Sequence, residues 1–167
     1  MARTRWLVGI SLLFALLFPT PAAAAGDWDP DDVRGPFDLR WVGAAYTSSG
    51  NIRLTFTFYD PVATWRFPRA SNASDHGVKV VRANSEEYGR IYRTRDGWLH
   101  LIWDEISPTI PQRVPVVRLS PTMFRTSFSP PHPGPYVLRT IGIWTPGDDV
   151  IVDRTDAINL GPQPGES

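Results

Sequence analysis

Asn51-Ile52-Arg53-Leu54-Thr55-Phe56-Thr57-Phe58-Tyr59 decides the fold. Ile52, Leu54, Phe56 and Phe58 fall on one side of an extended chain, while Arg53, Thr55 and Thr57 fall on the other. That period of two belongs to a half-buried β-strand. Segment 39–46 is its natural hairpin partner, because the intervening Thr47-Ser48-Ser49-Gly50 has the composition of a turn. Further strands are expected at 77–83, 87–95, 98–105, 114–119, 123–128, 136–145 and 150–153, with Asp96-Gly97 as a hairpin turn between two of them. No window places apolar residues at the spacing of a helix, and prolines interrupt each candidate. Short strands punctuated by Pro and Gly predict an all-β fold, an antiparallel two-sheet β-sandwich of jelly-roll-like form. A closed barrel is the alternative.

Residues 1–25 read as a signal peptide. Arg3 and Arg5 precede an apolar run from Leu7 to Phe18, and Pro21-Ala22-Ala23-Ala24-Ala25 supplies small residues for cleavage. The run is shorter than the ~20 residues that span a bilayer, so no transmembrane segment is expected. A single domain over 26–160 and a disordered tail over 161–167 follow, with a monomer as the expected state. The chain has no cysteine, so an exported domain must be stabilised by packing or by a bound metal, which favours a bacterial export route. Secretion, to the exterior or the cell envelope, is the expected localisation.

The chain carries 17 basic and 17 acidic residues, and loss of Arg3 and Arg5 with the leader leaves 15 basic against 17. The arginines are scattered along the expected strands rather than massed on one element, so no nucleic-acid partner is expected.

Acidic residues are massed at one place. Asp27, Asp29, Asp31, Asp32 and Asp38 crowd into a dozen residues with only Arg34 among them. Carboxylates held this close repel unless something neutralises them, and Ca²⁺ is the hard cation suited to several of their oxygens. Pro30 and Gly35-Pro36 stiffen the segment. Asp38 opens the first core strand, and Asp153, near the end of the last, can reach the same place if first and last strands are neighbours. Asp29, Asp31, Asp32, Asp38 and Asp153 are therefore the expected ligands of a structural calcium ion. The spacing is not that of an EF-hand, and the same aspartates also read as Asx-turn formers that need no metal.

Asp29-Pro30-Asp31-Asp32-Val33 followed by Gly35-Pro36-Phe37-Asp38-Leu39-Arg40 resembles the opening of secreted bacterial β-sandwich domains allied to carbohydrate-binding family 9 and the DOMON-like group. The resemblance covers about a dozen residues specifically. It implies a jelly-roll-like sandwich with a structural Ca²⁺ near the N-terminal strand and a glycan as ligand. Haem is disfavoured, since Met123 is the only methionine after the leader and no histidine pairs with it.

Aromatic rings that could stack on sugar are Trp65 and Phe67, in the long connection from Asp60 to His76, and Trp98 with His100 beside it. Trp41, Trp103 and Trp144 read as core. Hydrolytic chemistry finds no support. His76, His100 and His132 are far apart, no nucleophile elbow is present, and Asp104 and Glu105 point to opposite faces of a strand. The leading expectation is a non-catalytic binding module for a glycan. The competing one is a structural or protein-interaction domain of the cell envelope, using outward Arg53, Arg90, Arg93, Arg95 and Arg125 against a partner protein.

Overall fold

The computed structural model describes residues 25–69, 76–83, 88–104, 112–130 and 135–164. Residues 1–24, which fall in the expected signal peptide, the tail from 165, the Asn72 region and His132 lie outside the described residues. No described helix is long and apolar enough to cross a membrane.

Among the described residues the named strands are β1 (Ala25–Trp28), β2 (Leu39–Tyr46), β3 (Ile52–Phe58), β4 (Gly77–Arg82), β5 (Tyr88–Arg93), β6 (Leu99–Asp104), β7 (Gln112–Arg118), β8 (Met123–Phe128), β9 (Val137–Trp144), β10 (Ile151–Arg154) and β11 (Ile158–Asn159). A single 3-10 turn, Thr64–Arg66, is the one helical element among them. All strand pairs are antiparallel, and they follow one path, β1-β2-β3-β8-β7-β6-β5-β4-β9-β10, with β11 also on β9. The sheet curls into a half-barrel, which meets the all-β, antiparallel part of the expectation. Its pairing is continuous rather than divided into two separate sheets.

Alternation builds the core as the sequence predicts. Ile52, Leu54, Phe56 and Phe58 of β3 are buried, and so are Phe124, Thr126 and Phe128 opposite them on β8. Phe56 stacks on Phe124 at 5.7 Å between centroids, while Phe37 and Phe67 meet edge to face at 5.2 Å. Each such ring contributes roughly 1.5–3 kcal/mol through burial, and each well-placed pair roughly 0.5–1.5 kcal/mol more. Pro115 sits inside β7 without breaking the sheet, because pairing with β8 begins only at Val116.

The expectation that Trp41 is core is corrected. The register of β2 shifts between Leu39 and Trp41, a bulge that keeps both Leu39 and Val42 inward and turns Trp41 out. Its indole lies half-buried across Gly26 and Gly43, where a Cβ on Gly43 would stand 2.3 Å from the ring.

The two ends of the strand order approach each other, and side chains rather than a backbone ladder join them. The Asp156 amide donates to Asp27 Oδ2 at 2.8 Å, and the Leu39 amide donates to Asp153 Oδ2 in a short hydrogen bond. Beyond β11, the Gln163 amide group donates to the Gly50 carbonyl at 3.1 Å and Tyr46 Oη donates to the Gly161 carbonyl, so the described tail residues lie against the β2–β3 turn.

Candidate functional site

The aspartate segment runs from β1 to β2 along that seam. Its start is fixed by the Asp29 amide donating to the Arg40 carbonyl, 3.1 Å, which extends the β1–β2 ladder. The Asp32 amide donates to the Pro30 carbonyl at 2.9 Å, closing a tight turn. Tyr59 clamps both ends: its hydroxyl donates to the Asp29 carbonyl at 2.7 Å, and its amide donates to the Asp38 carbonyl at 3.1 Å. Phe37 then plugs into the core beside Phe58 and Phe67.

Gly142 makes the last contact possible. It stands opposite Asp153 in the β9–β10 register, and a Cβ there would fall 2.0 Å from the Phe37 carbonyl oxygen. Only a bare backbone lets the Phe37-Asp38 corner settle onto β9, next to the Asp153 carboxylate.

The result gathers carboxylates from both ends of the chain. One oxygen each of Asp29, Asp32 and Asp153 lie within 4.8 Å of one another. Asp153 and Asp38 are buried, at 5% and 6% exposure. Asp29 is half-buried, whereas Asp31 and Asp32 are exposed. Asp31 lies beside Asp38, and Asp29 beside Asp153, so that a proton on one carboxyl of each pair could be shared with the other. Asp29 Oδ2 and Asp38 Oδ1 are buried with no hydrogen-bond partner. A gap of about 10 Å³, bordered by Asp38, Asp153 and Arg34, is close to the size that one water or one ion fills.

The electrostatics follow from this crowding. Burial, then its hydrogen bond to Asp153 and the charges of Asp153, Asp32 and Asp27, push the Asp29 carboxyl up to about 8 from an ordinary 3.8. Burial, then the charges of Asp153, Asp31 and Asp32, push Asp38 up to about 7. Such a cluster must take up either protons or a cation. All five aspartates singled out from the sequence thus converge at the seam. Of the other acidic residues near the end of the chain, Asp156 reaches Asp27 through its backbone, and Asp148 and Asp149 are exposed on a turn.

The expected sugar-stacking residues divide. Trp98 is 72% exposed at the tip of the β5–β6 hairpin, where Gly97 adopts φ +86° and the Thr94 amide donates to the Trp98 carbonyl. His100 is half-buried on the outward face of β6, opposite in sense to the buried Leu99 and Leu101. Trp98 and His100 border one groove of about 760 Å³, with Thr64, Pro115 and Val117. Trp65, next to Thr64, is 62% exposed and has the Arg66 guanidinium 4.6 Å from its ring centre. Phe67 is corrected: it is 1% exposed and packs on Phe37 and Phe124, so its ring is a core element and cannot meet a ligand. In a loop its burial has no periodic signal in the sequence.

Sequence reasoning missed a second cleft. Arg69, Arg93, Arg95 and Arg113 border about 440 Å³ together with Tyr92 and His100. Arg93 and Arg95 were expected as outward strand arginines, but Arg95 is exposed in the hairpin turn and Arg93 stands opposite the buried Leu99 with its Nε buried; their meeting with Arg69 and Arg113 depends on pairings between distant segments. Comparison of the chain with known protein families, with curated proteins and with solved structures finds no match.

Proposed function

We propose that the chain is an exported, non-catalytic binding module. A structural Ca²⁺ held by Asp29, Asp32, Asp38 and Asp153, with Asp31 beside them, ties its N-terminal segment to its last long strand. The supporting observation is the meeting of Asp29, Asp32 and Asp153 oxygens within 4.8 Å, with a buried and unpartnered Asp38 oxygen alongside. Ca²⁺ accepts six to eight oxygens at flexible geometry, which suits side chains from a turn, a bulged strand start and a strand end. The turn reading without metal accounts for the exposed Asp31 and Asp32, but not for two buried carboxyl oxygens that accept nothing. The fold carried with this proposal is jelly-roll-like, two opposed halves of one curled sheet over the phenylalanine core.

The ligand of the module is a glycan, bound by the outward face of β6 and β7 and the β5–β6 hairpin. The exposed Trp98, beside a groove that His100 also borders, supports this choice. Signal-peptide export to the envelope or exterior, and a monomeric state, complete the reading. A structural role in the envelope, with a protein partner, is favoured by one other observation: Val150 and Val152 are 64% and 38% exposed at the β10 edge.

Calorimetric titration tests the metal. One Ca²⁺ per chain should bind, Mg²⁺ should compete poorly, and Asp38→Ala or Asp153→Ala should abolish the heat. Equal binding by parent and both variants, or none by the parent, rejects the site.

A further inference from the structure

The cleft bordered by Arg69, Arg93, Arg95 and Arg113 is not explained by calcium or by packing. It lies on β5, β6 and β7, in the middle of the strand order, whereas the aspartates gather where the two ends meet. A chain with nearly balanced charge has thus been polarised, acid at the seam and base across the sheet from it.

The register explains how the cleft forms. Ile91, Leu99, Leu101 and Val114 face the core, so their neighbours Tyr92, His100, Ile102 and Arg113 face outward. Tyr92 pairs with His100, and Ile102 with Arg113, which lays a tyrosine, a histidine and an arginine side by side. Arg69 joins from the long connection: it bridges Arg93 in parallel, and the Arg93 amide donates to the Pro68 carbonyl at 2.7 Å.

Four guanidiniums here are borne by three different elements and one hairpin turn. Among the described residues bordering the cleft there is no carboxylate to neutralise them. Two nitrogens are left over: Arg93 Nε and His100 Nδ1 are buried and have no hydrogen-bond partner. Guanidinium groups only donate, and a concave wall focuses their field, so the group that satisfies them is an oxyanion. Arginines from separate elements approach from several directions, which suits the several oxygens of a tetrahedral oxyanion better than the single edge of a carboxylate.

We propose that this cleft binds a sulfate or phosphate ester carried on a sugar. The ester sits among the exposed Arg69, Arg95 and Arg113, and the sugar ring extends past His100 to Trp98. His100 borders both the arginine cleft and the Trp98 groove, which places the two side by side. The inference rests on the reading of this face as a glycan-binding surface and names the chemistry of its ligand.

The test is calorimetric titration of the purified full-length protein, in saturating Ca²⁺ and low salt. The probes are a sulfated oligosaccharide, its unsulfated counterpart and inorganic phosphate. The sulfated sugar should bind at least about tenfold tighter than the unsulfated one, and weaken as salt rises. Arg69→Ala and Arg113→Ala, both at exposed positions, should each lose about tenfold or more, while Arg53→Ala on β3 should bind as the parent does. Inorganic phosphate binding as tightly as the sulfated sugar would keep the oxyanion chemistry and identify a free ion as its source. Equal binding of sulfated and unsulfated sugars overturns the inference while leaving the glycan reading intact. Binding of none of the three overturns both, and binding unaffected by the Arg69 and Arg113 changes overturns the placement.

Discussion

Asp38 opens β2 with its carbonyl tied to the Tyr59 amide, and its buried carboxyl accepts nothing at Oδ1. Without a cation it must be protonated or strained, which is why burial and its acidic neighbours push it up to about 7. Asp38→Asn supplies a neutral group of nearly the same shape. In EGTA near neutral pH this variant should melt at or above the parent, and in Ca²⁺ it should gain little. A variant that melts well below the parent in EGTA would mean that the carboxylate is held by something other than metal or proton. The identities of these aspartates could be read from the sequence, because charge density along a chain is a local property. Asp153 could be added only by supposing that first and last strands meet. What the sequence did not reveal is the burial of Asp38, which depends on Gly142 clearing the way for Phe37.

The strands were largely legible because each carries its own alternation: β3, β8 and β9 bury every second residue. β1 was not. Asp27 and Trp28 show no apolar alternation, and the segment is a strand because it pairs along Val42, Gly43 and Ala44 of β2 with Trp41 lying over it. The connection between β3 and β4 was equally opaque, since a loop has no period to separate a core ring from a surface one. Phe67 and Trp65 now fall on opposite sides of that division. Phe67→Ala should destabilise by about 3–5 kcal/mol, as removal of a fully buried ring does. Trp65→Ala should remain within about 0.5 kcal/mol in a denaturant titration. Similar losses for both would contradict the packing described.

The curled sheet unites these pieces. Its interior is an aromatic cluster, its seam gathers aspartates, and arginines border a cleft at β5 to β7, so one continuous sheet separates an acidic seam from a basic cleft. The single-sheet path itself was not legible, since alternation predicts strands and inward faces but not which strands are neighbours. The seam makes stability depend on pH in a definite sense. Asp29 and Asp38 titrate at about 8 and about 7 when folded, above the ordinary 3.8, so their protonated forms favour the fold. The metal-free protein is therefore most stabilised by these groups below about pH 4, and loses that contribution as pH rises through about 7 and 8. Under the proposal calcium would take the place of the protons, so its binding should release protons near neutral pH and strengthen as pH rises.

The most direct measurement is the melting temperature in EGTA, in millimolar Ca²⁺ and in millimolar Mg²⁺, at a pH near 8 where the bare carboxylates repel most. Ca²⁺ at about 100 times its dissociation constant should stabilise by about 2.7 kcal/mol, a rise of roughly 6 to 12 °C that Mg²⁺ does not reproduce. An unchanged melting temperature in all three conditions would contradict the calcium seam and reduce the aspartates to turn formers.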